Sequence, residues 1–243
     1  MLYKTRAIVL RRRELGENDL LVTLFTPEKG RFQAVARSSR KVAARLMGKL
    51  EPTMEIDLSL AQGKSLDVVT EVRVRETRPQ TRGDLDRLAY ALVLLELFEV
   101  VDAPGETWPL LSATLTLLEA GADAATLLAW CEIQLVESLG LAPEMAVCVA
   151  CRGPRTTSFS VRQGGLLCAT CSGRDDNAWA VVPGTVAFYR QLRGAAPALL
   201  PRLSAEPLVR RQLEEVMRSH LSYRWPHRLR SLDFLAQVER MRR

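Results

Sequence analysis

Histidine is nearly absent from this 243-residue chain: His220 and His227 are the only two, and both lie near its end. Neither has a carboxylate or cysteine at catalytic spacing, so both read as surface or core residues. Long apolar runs are missing as well. No uncharged stretch approaches the ~20 residues that cross a bilayer, which argues against a membrane-spanning helix. The patch Ala7 to Leu10, closed by Arg11, Arg12 and Arg13, is too short for a secretory signal, and the expected location is the cytosol. Motifs of hydrolases are lacking: there is no His-Glu-x-x-His and no Gly-x-Ser-x-Gly. Gly63-Lys64-Ser65 resembles the end of a phosphate-binding loop, but Leu58 stands where its first glycine belongs. Ser38-Ser39-Arg40-Lys41 fits Ser-x-x-Lys by spacing alone. The acids of residues 1–80 form no evident metal-binding set; most alternate with apolar residues, as on the wet face of strands. No catalytic residue is therefore assigned.

What the chain does contain is ordinary for a folded protein, with 47% hydrophobic and 26% charged residues. At this length two or three compact units are expected. The formal charge of +6 hides a sharper division. Residues 1–80 carry net +6, residues 81–147 net −9 and residues 148–243 net +9. Two basic lobes flank an acidic, apolar middle, and a basic lobe suits a polyanionic partner or a solvated surface.

The first lobe reads as strands. Lys4 to Arg12, Leu20 to Phe25 and Phe32 to Ala36 are three, with a tight turn at Pro27-Glu28-Lys29-Gly30 whose glycine is free to take positive φ. Met54, Ile56, Leu58 and Leu60 alternate with Glu55, Asp57 and Ser59, and Leu66, Val68, Val72 and Val74 alternate with polar residues. Period two with one apolar face predicts half-buried antiparallel strands. About five strands in 75 residues close most economically as a small barrel, which removes the sheet edges. Between the third and fourth strands, Ser38 to Leu50 carries Arg40, Lys41, Arg45 and Lys49 and reads as a basic loop or short helix.

From Gly83 the period turns helical. Asp84 is an N-cap candidate for Leu85 to Phe98, Pro104-Gly105 ends that helix, Leu110 to Ala120 is a second, and Asp123 caps a third running to Gly140. Thr185 to Leu192, Pro207 to Tyr223 and Leu229 to Met241 follow. Cys131, among Leu128, Trp130, Ile133 and Leu135, reads as core.

The strongest chemical signal is Cys148-x2-Cys151-x16-Cys168-x2-Cys171. Two residues between cysteines let both thiolates face one ion, and two such turns complete a tetrahedral sulfur shell that suits Zn²⁺. Redox pairs and spectator cysteines are the alternatives. With all four positions filled by cysteine, no ligand site remains for water, so the metal would be structural. Glycines at 153 and 173 let each turn curl its N–H groups toward sulfur.

The basic set Arg11, Arg12, Arg13, Lys29, Arg31, Arg37, Arg40, Lys41, Arg45 and Lys49 on a small barrel suits phosphate backbones. Aromatic platforms for bases are scarce: Tyr3, Phe25 and Phe32 are the only three in the lobe, and the core needs at least one. Binding is therefore expected to be electrostatic and weakly sequence-dependent.

Thr5-Arg6-Ala7-Ile8-Val9-Leu10, the run Gly16 to Thr26, Gly30 to Arg37, Leu50-Glu51-Pro52 and Leu229-Arg230-Ser231-Leu232-Asp233-Phe234-Leu235 together resemble the bacterial RecO family of recombination mediators, in order along the whole chain. Ser38-Ser39 stands where many members have glycine. The resemblance implies an α+β multidomain protein. It has a five-stranded OB-fold barrel that binds nucleic acid (1–80) and a helical bundle (81–243) with a zinc-binding insertion at about 145–178. The contacts to nucleic acid are placed on Lys29, Arg31, Arg37, Arg40, Lys41, Arg45 and Lys49, and the metal on Cys148, Cys151, Cys168 and Cys171. It implies a non-enzymatic protein that binds single- and double-stranded DNA, anneals strands, and works with RecR to load RecA onto DNA covered by single-strand DNA-binding protein, whose C-terminal tail it engages, at the nucleoid. The rivals are a zinc-ribbon regulator reading bases through Arg210, Arg211 and Arg218, and a nuclease, for which no carboxylate cluster is found.

Overall fold

A computed structural model describes residues 1–16, 19–37, 48–101, 104–224 and 229–241. They divide into two compact units, Met1–Gly121 with Leu229–Arg243, and Ala122–Arg228.

The first unit begins with five strands: β1 (Leu2–Leu15), β2 (Asp19–Thr26), β3 (Gly30–Ala36), β4 (Glu55–Ala61) and β5 (Asp67–Glu76). They close in the order β1-β2-β3-β5-β4, with β4 returning to β1. All pairings are antiparallel except β3 with β5, a short parallel seam of Ala34 with Asp67 and Val35 with Val68. This is the OB-like barrel that the alternating pattern anticipates. Ala7, Val9, Val22, Leu24, Ala34, Leu50, Ile56, Leu58 and Leu60 fill its interior. Gly30 takes φ 64 in the β2–β3 turn.

Two details depart from strict alternation. A bulge shifts the β4–β5 register between Ser59 and Leu60, so Val69 turns inward in place of the half-buried Val68, while Val72 and Val74 keep to the core side. The added residue inverts the pattern upstream of it. Glu55 stands at a wet position of the pattern but is 2% exposed. Its carboxylate accepts from Arg6 and from the buried Arg78 guanidinium, and from the Ser112 hydroxyl at 3.4 Å. Arg78 also donates to the Thr53 carbonyl. Both Thr53 and Arg78 adopt positive φ, 75° and 48°, costly for residues with a Cβ and tolerable only where surrounding contacts fix them.

Among the described residues four helices complete this unit: α1 (Pro79–Gly83), α2 (Leu85–Phe98), α3 (Pro104–Glu119) and α8 (Arg230–Met241). Asp84 caps α2 by accepting from the Arg87 N–H. Pro104-Gly105 opens α3 rather than trailing α2, because proline is well tolerated in a first turn. Two caps are supplied by distant carboxylates. Glu119 accepts from the backbone of Gln80 and Thr81 at the start of α1, and Glu96 accepts from that of Arg230 and Ser231 at the start of α8.

The second unit holds α4 (Ala124–Ser138), capped by Asp123, then β6 (Ser158–Ser160), β7 (Gly165–Leu167), α5 (Ala169–Ser172), β8 (Ala178–Ala180), α6 (Pro183–Arg193), a 3₁₀ turn (Pro197–Arg202) and α7 (Pro207–Arg224). The three strands form a small sheet in the order β7-β6-β8, too short for the sequence pattern to announce. Cys131 is fully buried on α4, as its neighbours predict. His220 on α7 is also buried, its Nε2 donating to the Leu141 carbonyl at 2.7 Å; burial lowers its pKa. His227 lies outside the described residues. Among the described residues no helix is long and apolar enough to cross a membrane.

Candidate metal centre and nucleic-acid interface

The four paired cysteines converge in the second unit. The Sγ atoms of Cys148, Cys151, Cys168 and Cys171 all lie within 4.8 Å of one another, with Cys151 and Cys168 at 3.8 Å. A tetrahedron with metal–sulfur bonds of about 2.3 Å has edges near 3.8 Å, so the set could hold a metal ion and its all-thiolate chemistry fits zinc. The first pair sits on a turn closed by Arg152 N–H to Cys148 O at 2.8 Å and Cys148 N–H to Gly153 O at 2.9 Å. The left-handed residue there is Arg152, at φ 63, and not the glycine after it. Gly153 instead gives its N–H to the Cys151 sulfur. Cys168 precedes α5 and Cys171 lies within it. Burial opposes ionisation of Cys148, but N–H groups of Cys168, Cys151 and Ala150 outweigh it and hold the thiol at about 6. Hydrogen bonding to Cys168, with burial, pushes Cys171 up to about 12. The protons are thus unevenly held, and a cation would displace them.

The sheet around the centre is anchored by Glu144. Its backbone exchanges hydrogen bonds with Gly164 and Leu166, and its carboxylate accepts from Arg152 at 3.0 Å.

In the first unit, the barrel pleat decides which cations face outward. Val22, Leu24, Ala34 and Ala36 point in, so Leu21, Thr23, Phe25, Arg31, Gln33 and Val35 point out. Register places Arg11 beside Thr23 and Gln33, and Arg13 beside Leu21 and Val35. The centre of this outer β1–β2–β3 face is covered. Phe25 is buried, edge-on to Phe98 of α2 at 5.4 Å and stacked on Trp108 of α3 at 6.3 Å, with Arg6 over the far ring at 5.8 Å. That is why β2 is buried on both sides and not half-buried as its pattern suggests. The exposed cations Arg11, Arg13, Arg31 and Arg37 lie around the margin.

Of the seven cations singled out from the sequence, Lys29, Arg31, Arg37 and Lys49 are among the described residues. Arg37 and the exposed Lys49 flank the segment 38–47; Arg40, Lys41 and Arg45 fall within it, outside the described residues. Arg31 sits at the start of β3. It lies about 20 Å from Arg37 along the strand, and before it, in the β2–β3 turn, comes Lys29. Its ammonium lies 4.2 Å from the Tyr3 ring centre, donates to the Tyr3 hydroxyl at 2.9 Å and pairs with Asp67 at 3.8 Å. The Tyr3 hydrogen bond, chiefly, raises the Lys29 pKa. Gly63, next to this cluster, donates to Asp67 at 3.1 Å, and a Cβ there would stand 1.9 Å from the Leu66 carbonyl oxygen. The glycine of the phosphate-loop look-alike thus serves a tight β4–β5 connection.

Arg11 and Arg13 join this margin from within a strand, outside the loop-side set Lys29 to Lys49. Their signal was the three consecutive arginines beyond an apolar run.

Comparison with known proteins gives a consistent result. The profile described as Recombination protein O N terminal matches residues 1–78, and that described as Recombination protein O C terminal matches residues 82–233. A protein named DNA repair protein RecO from Roseiflexus sp. (strain RS-1) is 34% identical over 248 residues, covering 99% of this chain and 87% of that protein. One of the same name from Alkaliphilus metalliredigens is 32% identical, covering 91% and 93%. Another from Nocardioides sp. is 32% identical, covering 99% and 100%.

Proposed function

The chain belongs to the RecO family of DNA repair proteins, and from that premise we propose that it is a non-enzymatic recombination mediator. It binds single- and double-stranded DNA, anneals complementary strands and, with RecR, helps load RecA onto DNA covered by single-strand DNA-binding protein. The observation that carries this reading is the margin of exposed arginines on the outer β1–β2–β3 face, continued by Arg37 and Lys49 into the basic segment between β3 and β4. Helices cover the centre of that face, so a strand would track its edge and be held through phosphates, not read through bases. Charge neutralisation along such a track lowers repulsion between two strands, which is what annealing requires.

In this reading residues 1–80 form the DNA-binding domain, with contacts from Arg31, Arg37, Arg40, Lys41, Arg45 and Lys49, and Lys29 contributing less because Tyr3 and Asp67 already engage it. Residues 81–243 form the helical domain, with the zinc insertion at about 145–178 and one structural zinc ion on Cys148, Cys151, Cys168 and Cys171. The tail of single-strand DNA-binding protein, acidic and apolar at its tip, would dock on this helical domain, its charge met by the basic residues of 148–243. The protein would work in the cytoplasm at the nucleoid. An annealing assay on complementary oligonucleotides, free and coated with single-strand DNA-binding protein, tests the proposal. Acceleration in both cases is expected, and no acceleration in either rejects it.

A further inference from the structure

Glu99 closes the C-terminal end of α2, where its N–H bonds back to the carbonyls of Leu95 and Glu96. Three features make this an unfavourable place for a carboxylate. The end of a helix carries partial negative charge. Glu96 stands one turn earlier and adds to it. The side chain is also only 21% exposed, so water compensates it poorly; burial raises its pKa. What opposes these costs is a pair of cations from different strands of the barrel margin. Arg11 of β1 lies 3.8 Å away, and Arg31 of β3 contributes a favourable charge. Both guanidiniums are exposed on their other sides.

A carboxylate paired with one arginine and attracted by a second at the margin of the barrel has the charge to stand in for one phosphate. We propose that Glu99 is an internal competitor for the DNA backbone, pairing with Arg11 and attracted by the charge of Arg31 in the free protein, and yielding both when a strand arrives. The inference rests on the DNA-binding reading above and adds a residue that weakens the binding it describes. Its consequence is faster exchange: a strand held at this margin always has a tethered rival for its contact with Arg11, so it can be released to its complement. The charged groups that act on Glu99 are Arg11, Arg31 and Glu96, and the competition is set by charge and geometry.

The test is a double-mutant cycle read by anisotropy of a labelled single-stranded homopolymer over a salt series, with wild type, Glu99→Gln, Arg11→Ala/Arg31→Ala and the triple variant. Glu99→Gln keeps the shape and removes the charge. It should tighten binding three- to tenfold at low salt and steepen the salt slope by about 0.7 for each arginine released. The gain should vanish in the triple variant. An equal gain with both arginines absent would reduce Glu99 to a general charge effect and overturn the proposal. So would no gain in Glu99→Gln while the arginine variant binds more weakly. If no variant binds DNA, the DNA-binding reading fails and the competitor with it. Folding of each variant is checked by its thermal transition.

Discussion

Glu55 shows how much one side chain can carry. It joins β1 through Arg6, the segment after β5 through Arg78, and α3 through Ser112. Arg78 is buried with it, so removing the carboxylate strands a guanidinium away from water. Burial already works against the Arg78 charge, and Glu55 is the nearest group opposing that. Glu55→Gln should therefore cost about 3–5 kcal/mol in denaturant unfolding. Arg6→Ala, which removes a partner 43% exposed, should cost about 1 kcal/mol or less. Comparable losses in the two variants would show that the cluster is not organised around Arg78. Sequence alone could not separate these residues. Glu55 occupies a polar slot in a clean alternation, and only the helices packed outside the barrel turn that slot into an interior.

At the scale of elements, α4 carries the sharpest expectation about pH. Glu132 is buried on it, and burial pushes its carboxyl up to about 8, offset in part by Arg218 and reinforced by Glu214. The unfolded chain releases this proton near pH 4.3. Between there and about 8 the folded state holds a proton that the unfolded state has lost, so stability falls as pH rises, by up to about 1.4 kcal/mol per unit. Below that window and above it this group contributes no slope. Glu132→Gln should flatten the stability profile of the unit across the window, and an unchanged profile would contradict a buried carboxyl that keeps its proton there. The metal turn gives a second expectation. Cys148→Ser with Cys151→Ser should abolish stoichiometric zinc in purified protein, and should lower the melting temperature of the second unit more than it changes DNA affinity. Wild-type protein prepared without chelator and holding no zinc would refute the assignment.

Elements also show what the sequence makes legible. Helix caps at Asp84 and Asp123 and the Cys-x2-Cys pairs are local signals, written in a few adjacent residues, and they are found where expected. The caps on α1 and α8 come from Glu119 and Glu96, far away in sequence, and no window could announce them. The three-residue strands β6, β7 and β8 are equally silent, because their shape is dictated by the turns around the cysteines and by Glu144 rather than by their own pattern. The OB-like barrel was legible because period two and closure follow from composition and length. The covering of its outer face was not, since it depends on where Phe98 and Trp108 land. That covering leaves Arg11, Arg13 and Arg31 exposed at its margin.

For the molecule as a whole, the order in which chain and unit are completed matters. The first unit is discontinuous: it begins at Met1 and is finished only by α8, after residues 122–228 have formed the second. On a ribosome the barrel can close early, but α2 must wait with its α8-facing side uncovered until more than a hundred further residues have emerged. Glu96 and Tyr90 then receive Ser231 and Glu239 in the last step. A chain stopped after residue 228 should keep a second unit that melts normally, while the first exposes an apolar stripe, binds a hydrophobic dye and unfolds at lower denaturant. The final helix is in this sense a latch set by synthesis itself, and the first unit remains a client for chaperones until it closes.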